Sequence, residues 1–340
     1  MKKYIGRFLI VLLISAAIIF YLFNRSATAF SEKRAYFFIP SDSAQLSYVV
    51  ENLGKKGILK NTQIFEWLAG RTDYATKVKP GKYKIDKGMS QAEVLRLLLS
   101  GKQEPVKLVI NKFRTKEDFS RFAARQLECD SLGIMQYLQS PDSLQRFGLD
   151  TNTAMTMIIP NTYSFFWNTS ASKLFRKLYS EKEIFWNEER RKKAAQLGMT
   201  YEEVYTLASI VEEETNKNDE KPVVASVYLN RLQKGMALGA DPTIKFALKD
   251  FGLKRIRLKH IEASASSPYN TYRYKGLPPG PICTPSIKTI DAVLEAQKTE
   301  YLFFCARADF SGYHSFAANY EEHMRNANAY QKALDSLLIK

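Results

Sequence analysis

The stretch Thr200-Tyr201-Glu202-Glu203-Val204-Tyr205-Thr206-Leu207-Ala208-Ser209-Ile210-Val211-Glu212-Glu213-Glu214-Thr215 decides how the chain is read. Thr200 with Glu203 three residues on is the pattern of a capping box, so a helix starts there. Val204, Leu207, Ala208 and Val211 then recur at the spacing of one helical face. The run ends in three consecutive glutamates. At about 100° per residue, Glu213 points almost directly away from the apolar face, and Glu212 falls on its edge. Glu214 lies near Leu207, Ile210 and Val211, within the apolar arc. A carboxylate there is partly desolvated, which raises its pKa toward the range of a general acid at neutral pH. Glu214 is therefore the candidate acid/base group. The plainer alternative is a solvated acidic patch at a helix end.

Downstream, Pro222 sits where a first helical turn tolerates it. A second helix runs from there to about Lys234, closed by Gly235, and carries Ser226, Tyr228, Asn230 and Arg231. Gly239-Ala240-Asp241-Pro242-Thr243 reads as a polar turn. Ser267-Pro268-Tyr269-Asn270-Thr271-Tyr272 and Gly276-Leu277-Pro278-Pro279-Gly280-Pro281-Ile282 form a long rigid loop dense in Pro, Gly, Asn and Tyr. Amide side chains and tyrosine rings are what a carbohydrate groove uses, hydrogen-bonding hydroxyl and N-acetyl groups and stacking on sugar faces. A structural Pro-rich surface loop is the alternative. Near the end lies His314-x-Phe316-x-x-Asn319-x-x-x-His323. Its histidines are not the i, i+4 pair of a helical zinc site, so no metal and no cofactor are expected. A Cys305–His314 hydrolase is conceivable; polar groups lining or bracing a cleft fit the pattern better.

Upstream, the stretch from Arg34 to Leu108 reads as a small module. Tyr36–Pro40 is a strand, Ser43–Leu53 and Asn61–Leu68 are helices, and Pro80-Gly81 turns into a strand through Ile85. Ser90 caps a helix through Leu99, with Gly101 after it. From Val106 to about Glu188 the chain reads as mostly helical, interrupted by the aromatic-rich Ile159–Trp167. At the start, Lys2, Lys3 and Arg7 precede an apolar run from Phe8 to Phe23. It is short for a membrane span, for which about 20 residues is typical. The leading positive charges keep the N-terminus in the cytoplasm and export the chain beyond Phe23. Ala27-Thr28-Ala29 has the small-x-small pattern of a signal-peptide cleavage site, so a retained anchor and a removed signal are both open.

The 340 residues suffice for two domains, and 45% hydrophobic with 25% charged residues is an ordinary globular balance. The net charge of +15 is not ordinary and suits an acidic partner or surface. Nucleic acid conflicts with export, so it is not expected as a partner. The three cysteines, Cys129, Cys283 and Cys305, are widely spaced and odd in number, which argues against a disulfide framework.

Taken in order, several segments form one series. They are Ala208–Glu212-x-Glu214-Thr215, Val224–Tyr228-x-Asn230-Arg231-Leu232, Gly235-Met236-x-Leu238, Asp241-Pro242-Thr243, Tyr269–Tyr272, Gly276–Ile282 and His314-x-Phe316. The series resembles the YceG-like endolytic murein transglycosylases, and Pro160-Asn161-Thr162-Tyr163 resembles that family's Pro-Asp-Thr-Tyr stretch, with Asn161 for the usual Asp. The resemblance covers roughly residues 36–325. It implies an α+β protein with a cytoplasmic tip and transmembrane helix over residues 1–24, a small LysM-like module over 34–108 and a YceG-like catalytic domain over 109–340. It implies cleavage of the β-1,4 bond from N-acetylmuramic acid to N-acetylglucosamine within glycan strands, leaving 1,6-anhydro ends. The reaction would terminate nascent strands from the extracytoplasmic face of the plasma (inner) membrane. Glycan strands, the cytoplasmic membrane and peptidoglycan synthases are the implied partners. Glu214 matches the family's catalytic glutamate. Asn230, Asp241, Thr243, Tyr269, Asn270, Tyr272, His314, Phe316 and Asn319 match motif positions and are the substrate-binding candidates. Met324 in place of the usual Asn, and the loop from Lys249 to Ala265, depart from the pattern. Two other readings remain: a non-catalytic wall-binding scaffold, and a muramidase-type hydrolase using water with Asp241 or Glu212 as second carboxylate.

Overall fold

Alternating burial along two strands organises the first part of the chain. β1 (Arg34–Ile39) and β2 (Gly81–Asp86) run antiparallel, with Arg34 opposite Asp86 and Ile39 opposite Gly81. The structure, a computed structural model, describes residues 25–338 together with Arg7, residues 10–14 and Tyr21. The apolar run that carries the expectation of a membrane anchor lies largely outside the described residues. Among those described, no helix is long and apolar enough to cross a membrane.

The chain divides into two units. The first extends to Leu108 and also holds Arg125–Cys129 and Ser164–Ser170; the second holds Val109–Ala124, Asp130–Tyr163 and everything from Ala171. In the first unit, side chains alternate across the β1–β2 pair, so Phe37, Ile39, Tyr83 and Ile85 share one buried face. Three helices close over that face: α1 (Leu46–Lys55), α2 (Gln63–Ala69) and α3 (Gln91–Ser100). They add Val49, Leu53, Phe65, Val94 and Leu98, all fully buried. Helix α3 starts at a capping box in which Ser90 and Glu93 satisfy each other's backbone amides. It stops at Gly101, whose φ of 70° is the left-handed conformation that glycine adopts without strain. Ala27 is built into this unit: its amide donates to Met89 O and its carbonyl accepts from Lys60 N.

The chain then passes through β3 (Val106–Val109), α4 (Lys116–Ala124), α5 (Ser131–Gln139), α6 (Pro141–Gln145) and β4 (Thr162–Phe165). β3 pairs with β4. Helices α7 (Ala171–Phe185) and α8 (Glu188–Gln196) lead to α9 (Tyr201–Glu214), α10 (Lys221–Gln233), α11 (Asp241–Leu248), α12 (Leu258–Ala263) and α13 (Ile287–Leu294). An antiparallel hairpin of β5 (Phe303–Ala306) and β6 (His314–Ala317) precedes the last helix, α14 (Tyr320–Leu338).

Helix α9 is the axis of the second unit. The capping box of Thr200 and Glu203 stands as expected, but the single apolar face does not: every residue from Val204 to Val211 is buried. The polar members are tolerated because their groups are paired inside. Ser209 Oγ donates to Thr206 O and accepts from Ile282 N at 2.9 Å, and the Tyr205 hydroxyl donates to Ile158 O at 2.6 Å. The Pro-rich connection over residues 264–286 is only in part a surface loop: Tyr272–Lys275 are exposed, but Asn270, Thr271, Ile282, Cys283 and Thr284 are buried within it. Gly280 shows how tightly it is laid down: a Cβ there would stand 2.2 Å from Asn152 O. Asp241-Pro242-Thr243 likewise differs from expectation. It forms the first turn of α11, where proline's fixed φ and an acidic residue both favour helix initiation.

Candidate active site

The three glutamates that close α9 have separate fates. Glu212 is held by Lys221 at 2.9 Å and by the hydroxyls of Ser286 and Thr289. Burial alone would raise its pKa, yet the hydrogen bonds from Thr289 and Lys221 hold the carboxyl below the ordinary carboxylate value. Glu213 sits between Arg114, at 2.8 Å, and Lys112, at 3.0 Å. It too is held low against burial, chiefly by the Arg114 hydrogen bond. Glu213, read as pointing away from the apolar face, turns into this basic clamp and not into water: its side chain is only 12% exposed. Glu214 has no cation within ion-pair distance among the described residues. Its one hydrogen bond comes from the Tyr228 hydroxyl on α10, which donates to Oε1 at 2.5 Å.

That difference decides the chemistry. Burial pushes the Glu214 carboxyl from the ordinary 4.5 up to about 7, the Tyr228 hydrogen bond opposes this, and the nearby charge of Asp241 adds to it. A group poised there carries its proton about half the time at neutral pH, so it can give a proton and take one back. Tyr228 is pushed well above its usual range by burial and by Glu214, and so remains a donor throughout. Glu214 opens onto a cavity of about 410 Å³ lined by Thr215, Lys217, Phe310, Tyr313 and His314.

The substrate-binding candidates separate into groups. Asp241 and Tyr272 meet each other: the Tyr272 hydroxyl donates to Asp241 Oδ1 at 2.5 Å. Burial and that bond keep the phenol protonated, and both residues act electrostatically on Glu214 or its tyrosine. His314 lines the Glu214 cavity. Tyr269 lies elsewhere, its ring 4.7 Å from that of Phe246 and its hydroxyl pushed up to about 12 by burial. Phe316 stacks on Tyr301 at 5.6 Å as part of the core.

Four candidates hydrogen-bond within the fold itself. Thr243 and Asn270 are fully buried. Thr243 donates to Ala240 O and bonds the Thr271 hydroxyl, while the Asn270 amide donates to Ile261 O and Ser264 Oγ. Asn230 donates to the carbonyls of Thr299 and Tyr301, which anchors the segment leading into β5. Asn319 Oδ1 accepts from Glu322 N, closing the first turn of α14. A larger cavity of about 930 Å³, lined by Ser226, Asn230, Gly276 and Pro278 among others, does not include Glu214.

Sequence reading missed Tyr228, Lys221, Arg114, Lys112 and Glu220. Tyr228 was visible only as one of several polar residues on the second helix. Its role depends on how α9 and α10 pack, and no spacing rule encodes that. The conceivable Cys305–His314 dyad is not formed: across the hairpin Cys305 pairs with Ser315 and His314 with Ala306, so the two side chains project from opposite faces.

The fold and site together define an α+β protein in which a core helix presents one uncompensated, protonatable glutamate to a cavity. The chain belongs to the YceG-like family, whose profile matches residues 37–329. It is 26% identical over 312 residues to an endolytic murein transglycosylase of Bacillus subtilis, covering 86% of this chain and 83% of that protein. It is 28% identical over 324 residues to an endolytic murein transglycosylase of Streptococcus pneumoniae, covering 84% of this chain and 56% of that longer protein. The crystal structure of a yceG-like protein from Listeria monocytogenes superimposes with a TM-score of 0.58 at 25% identity, covering 87% of this chain and 99% of that one.

Proposed function

We propose that this protein is an endolytic lytic transglycosylase that cleaves the β-1,4 bond from N-acetylmuramic acid to N-acetylglucosamine inside peptidoglycan strands. It would leave 1,6-anhydro ends and so terminate growing glycans. The observation that carries this reading is the solitary state of Glu214, which is half-buried, held by a tyrosine and poised near neutrality, while its two neighbours are locked as anions.

One such group suffices for the reaction. Protonated Glu214 gives its proton to the glycosidic oxygen as the bond to C1 breaks, and the leaving sugar departs as an alcohol. The substrate's N-acetyl group stabilises the positive charge that develops at C1. Glu214, now a carboxylate, removes the proton from the 6-hydroxyl of the same sugar as that oxygen closes onto C1. The carboxyl ends protonated, as it began, and no water is consumed. Because the nucleophile is already part of the substrate, proximity takes the place of a second carboxylate. Tyr228 stays hydrogen-bonded throughout and steadies the anionic intermediate state of Glu214.

The same reading takes the apolar N-terminal run as a retained membrane anchor with the body of the protein outside the cytoplasm. Support comes from Ala27-Thr28-Ala29, the stretch with the cleavage-site pattern. Ala27 and Thr28 are buried, and the segment bridges to Leu59 and Ser90 within the first unit. Cleavage there would remove part of the folded unit. The first unit, with its small sheet and flanking helices, serves in this reading as a LysM-like glycan-binding module, and peptidoglycan synthases are the expected partners. The test is mass spectrometry of isolated glycan strands incubated with the full chain, wild type against Glu214→Gln. Internal fragments with anhydro ends from wild type alone are expected. Reducing ends would point to a hydrolase with Asp241 as second carboxylate, and no cleavage by wild type would favour a scaffold.

A further inference from the structure

Glu220 takes no part in the proton transfers assigned to Glu214, yet it is the more deeply buried of the two. It immediately precedes α10, and its side chain is only 5% exposed. Its carboxylate accepts three hydrogen bonds. Oε1 accepts from the backbone amide of His314 at 2.6 Å. Oε2 accepts from His314 Nδ1 at 2.8 Å and from the Thr215 hydroxyl at 3.1 Å. Thr215 directly follows Glu214 and ends α9. A single buried carboxylate therefore ties the residue after the candidate acid to the first residue of β6.

The backbone amide of His314 and the Thr215 hydroxyl both donate to this carboxyl group, so Nδ1 of His314 faces an acceptor. An acceptor at Nδ1 selects the tautomer in turn: Nδ1 carries the hydrogen, and Nε2 is the ring's acceptor nitrogen. Nε2 makes no hydrogen bond among the described residues, and His314 lines the cavity that holds Glu214. The ring cannot swing away freely. Phe304 meets it edge-on at 5.2 Å, and its backbone is pinned by the Ala306 pairing and by Glu220 itself.

We propose that Glu220 and His314 form a carboxylate–imidazole pair that presents Nε2 of His314 as a fixed hydrogen-bond acceptor for a hydroxyl of the saccharide bound beside Glu214. This rests on the saccharide reading of the site. His314 is the substrate-touching member, and Glu220 is a positioning residue that acts through it. The pair orients sugar without taking its proton, so it adds recognition to a site whose acid/base chemistry is carried by one glutamate.

Asparagine and glutamine at position 314 separate this role from a structural one. Asn places a polar atom near Nδ1 and keeps the Glu220 contact, but offers nothing where Nε2 stood. Gln extends an amide oxygen toward the Nε2 position. With the full chain and isolated glycan strands, His314→Asn is expected to lower kcat/KM about tenfold, mainly through KM, and His314→Gln to lose less, as suits one lost substrate hydrogen bond. Melting temperatures should stay close to wild type. Glu220→Gln should reproduce the KM effect by freeing the ring.

A second measurement needs no substrate. Nitrogen-15 NMR of the histidine-labelled protein, with only three histidines to assign, should show His314 with hydrogen on Nδ1 and a bare Nε2. The Nε2–H tautomer, or His314→Asn with wild-type KM, overturns the proposal. If wild type itself makes no anhydro product, it is the saccharide reading that fails, while the tautomer still decides whether the pair exists.

Discussion

Replacing Glu214 by glutamine should abolish cleavage and, above neutral pH, make the second unit more stable. The magnitude comes from the site. In the unfolded chain the carboxyl titrates near its ordinary 4.5, and in the folded protein near 7. Between those values the native state holds a proton that the unfolded chain has already lost. Stability therefore falls as pH rises through this window and is level above it. The full difference corresponds to on the order of 3 kcal/mol at about 1.4 kcal/mol per pKa unit. Glutamine has the shape of the neutral acid, keeps an oxygen for the Tyr228 hydroxyl and does not ionise. Near pH 5 the variant should exceed wild type by less than about 1 kcal/mol, and near pH 8 by about 3 kcal/mol. For a unit of this size that is a gain of roughly 6–12 °C in melting temperature. Calorimetry of both proteins at the two pH values measures it. A stability gap that does not widen between them would show that the folded carboxyl ionises like a solvated one, and would refute the account of its burial.

Four further outcomes come from individual contacts. Tyr228→Phe removes the one hydrogen bond that favours the Glu214 anion; with such bonds worth about 1.5–3 kcal/mol, the alkaline limb of the pH–rate profile should move up by roughly 1–2 pH units. Asp241→Asn removes a negative charge that holds Glu214 high, so the same limb should move toward lower pH. Lys221→Met strands the buried Glu212 carboxylate and should cost about 3–5 kcal/mol in denaturant unfolding, most of it recovered when Glu212→Gln is added. Gly280→Ala must push a methyl into Asn152 O and should lower stability by about 1–3 kcal/mol, with the loss visible in the melting temperature.

How much of the molecule is legible in its sequence depends on whether a feature is local. The cap at Ser90, the capping box at Thr200 and the glycine stop at Gly101 are set by neighbours in sequence, and each stands where its pattern put it. The structure also sets Glu214 apart from Glu212 and Glu213, on grounds the helical wheel did not supply. A one-faced helix suggested that Glu213 was solvated, whereas α9 is enclosed on all sides and Glu213 is shielded by Arg114 and Lys112. Those two cations stand about a hundred positions earlier in the chain. Thr289 and Ser286, which hold Glu212, come more than seventy later. Nothing in the pattern of a single chain couples such positions. The same limit explains Asn270 and Thr243. A polar residue in a Pro-rich stretch looks available for a ligand until the stretch is found to be interior, where the residue's hydrogen bonds are owed to the fold.

All three glutamates stand at the C-terminal end of α9, where the helix presents its negative pole and disfavours further negative charge. No basic residue occupies that last turn to offset it. Left uncompensated, three adjacent carboxyls there would compete for few protons, and no single one would have a defined role. Compensation for two of them removes the degeneracy. Lys221, with two hydroxyls, fixes Glu212 as an anion, and the Arg114–Lys112 clamp fixes Glu213. Each pair also fastens the end of the helix to a distant segment, so the backbone that carries Glu214 is held from two sides. The third carboxyl inherits the unfavourable field, softened by a tyrosine hydrogen bond and by the more distant charge of Lys245. Its high pKa is thus a product of the neighbouring charges of Asp241 and Glu213 as well as of its own burial. Breaking the Arg114–Lys112 clamp on Glu213 should therefore disturb the titration of Glu214 even though neither cation pairs with it.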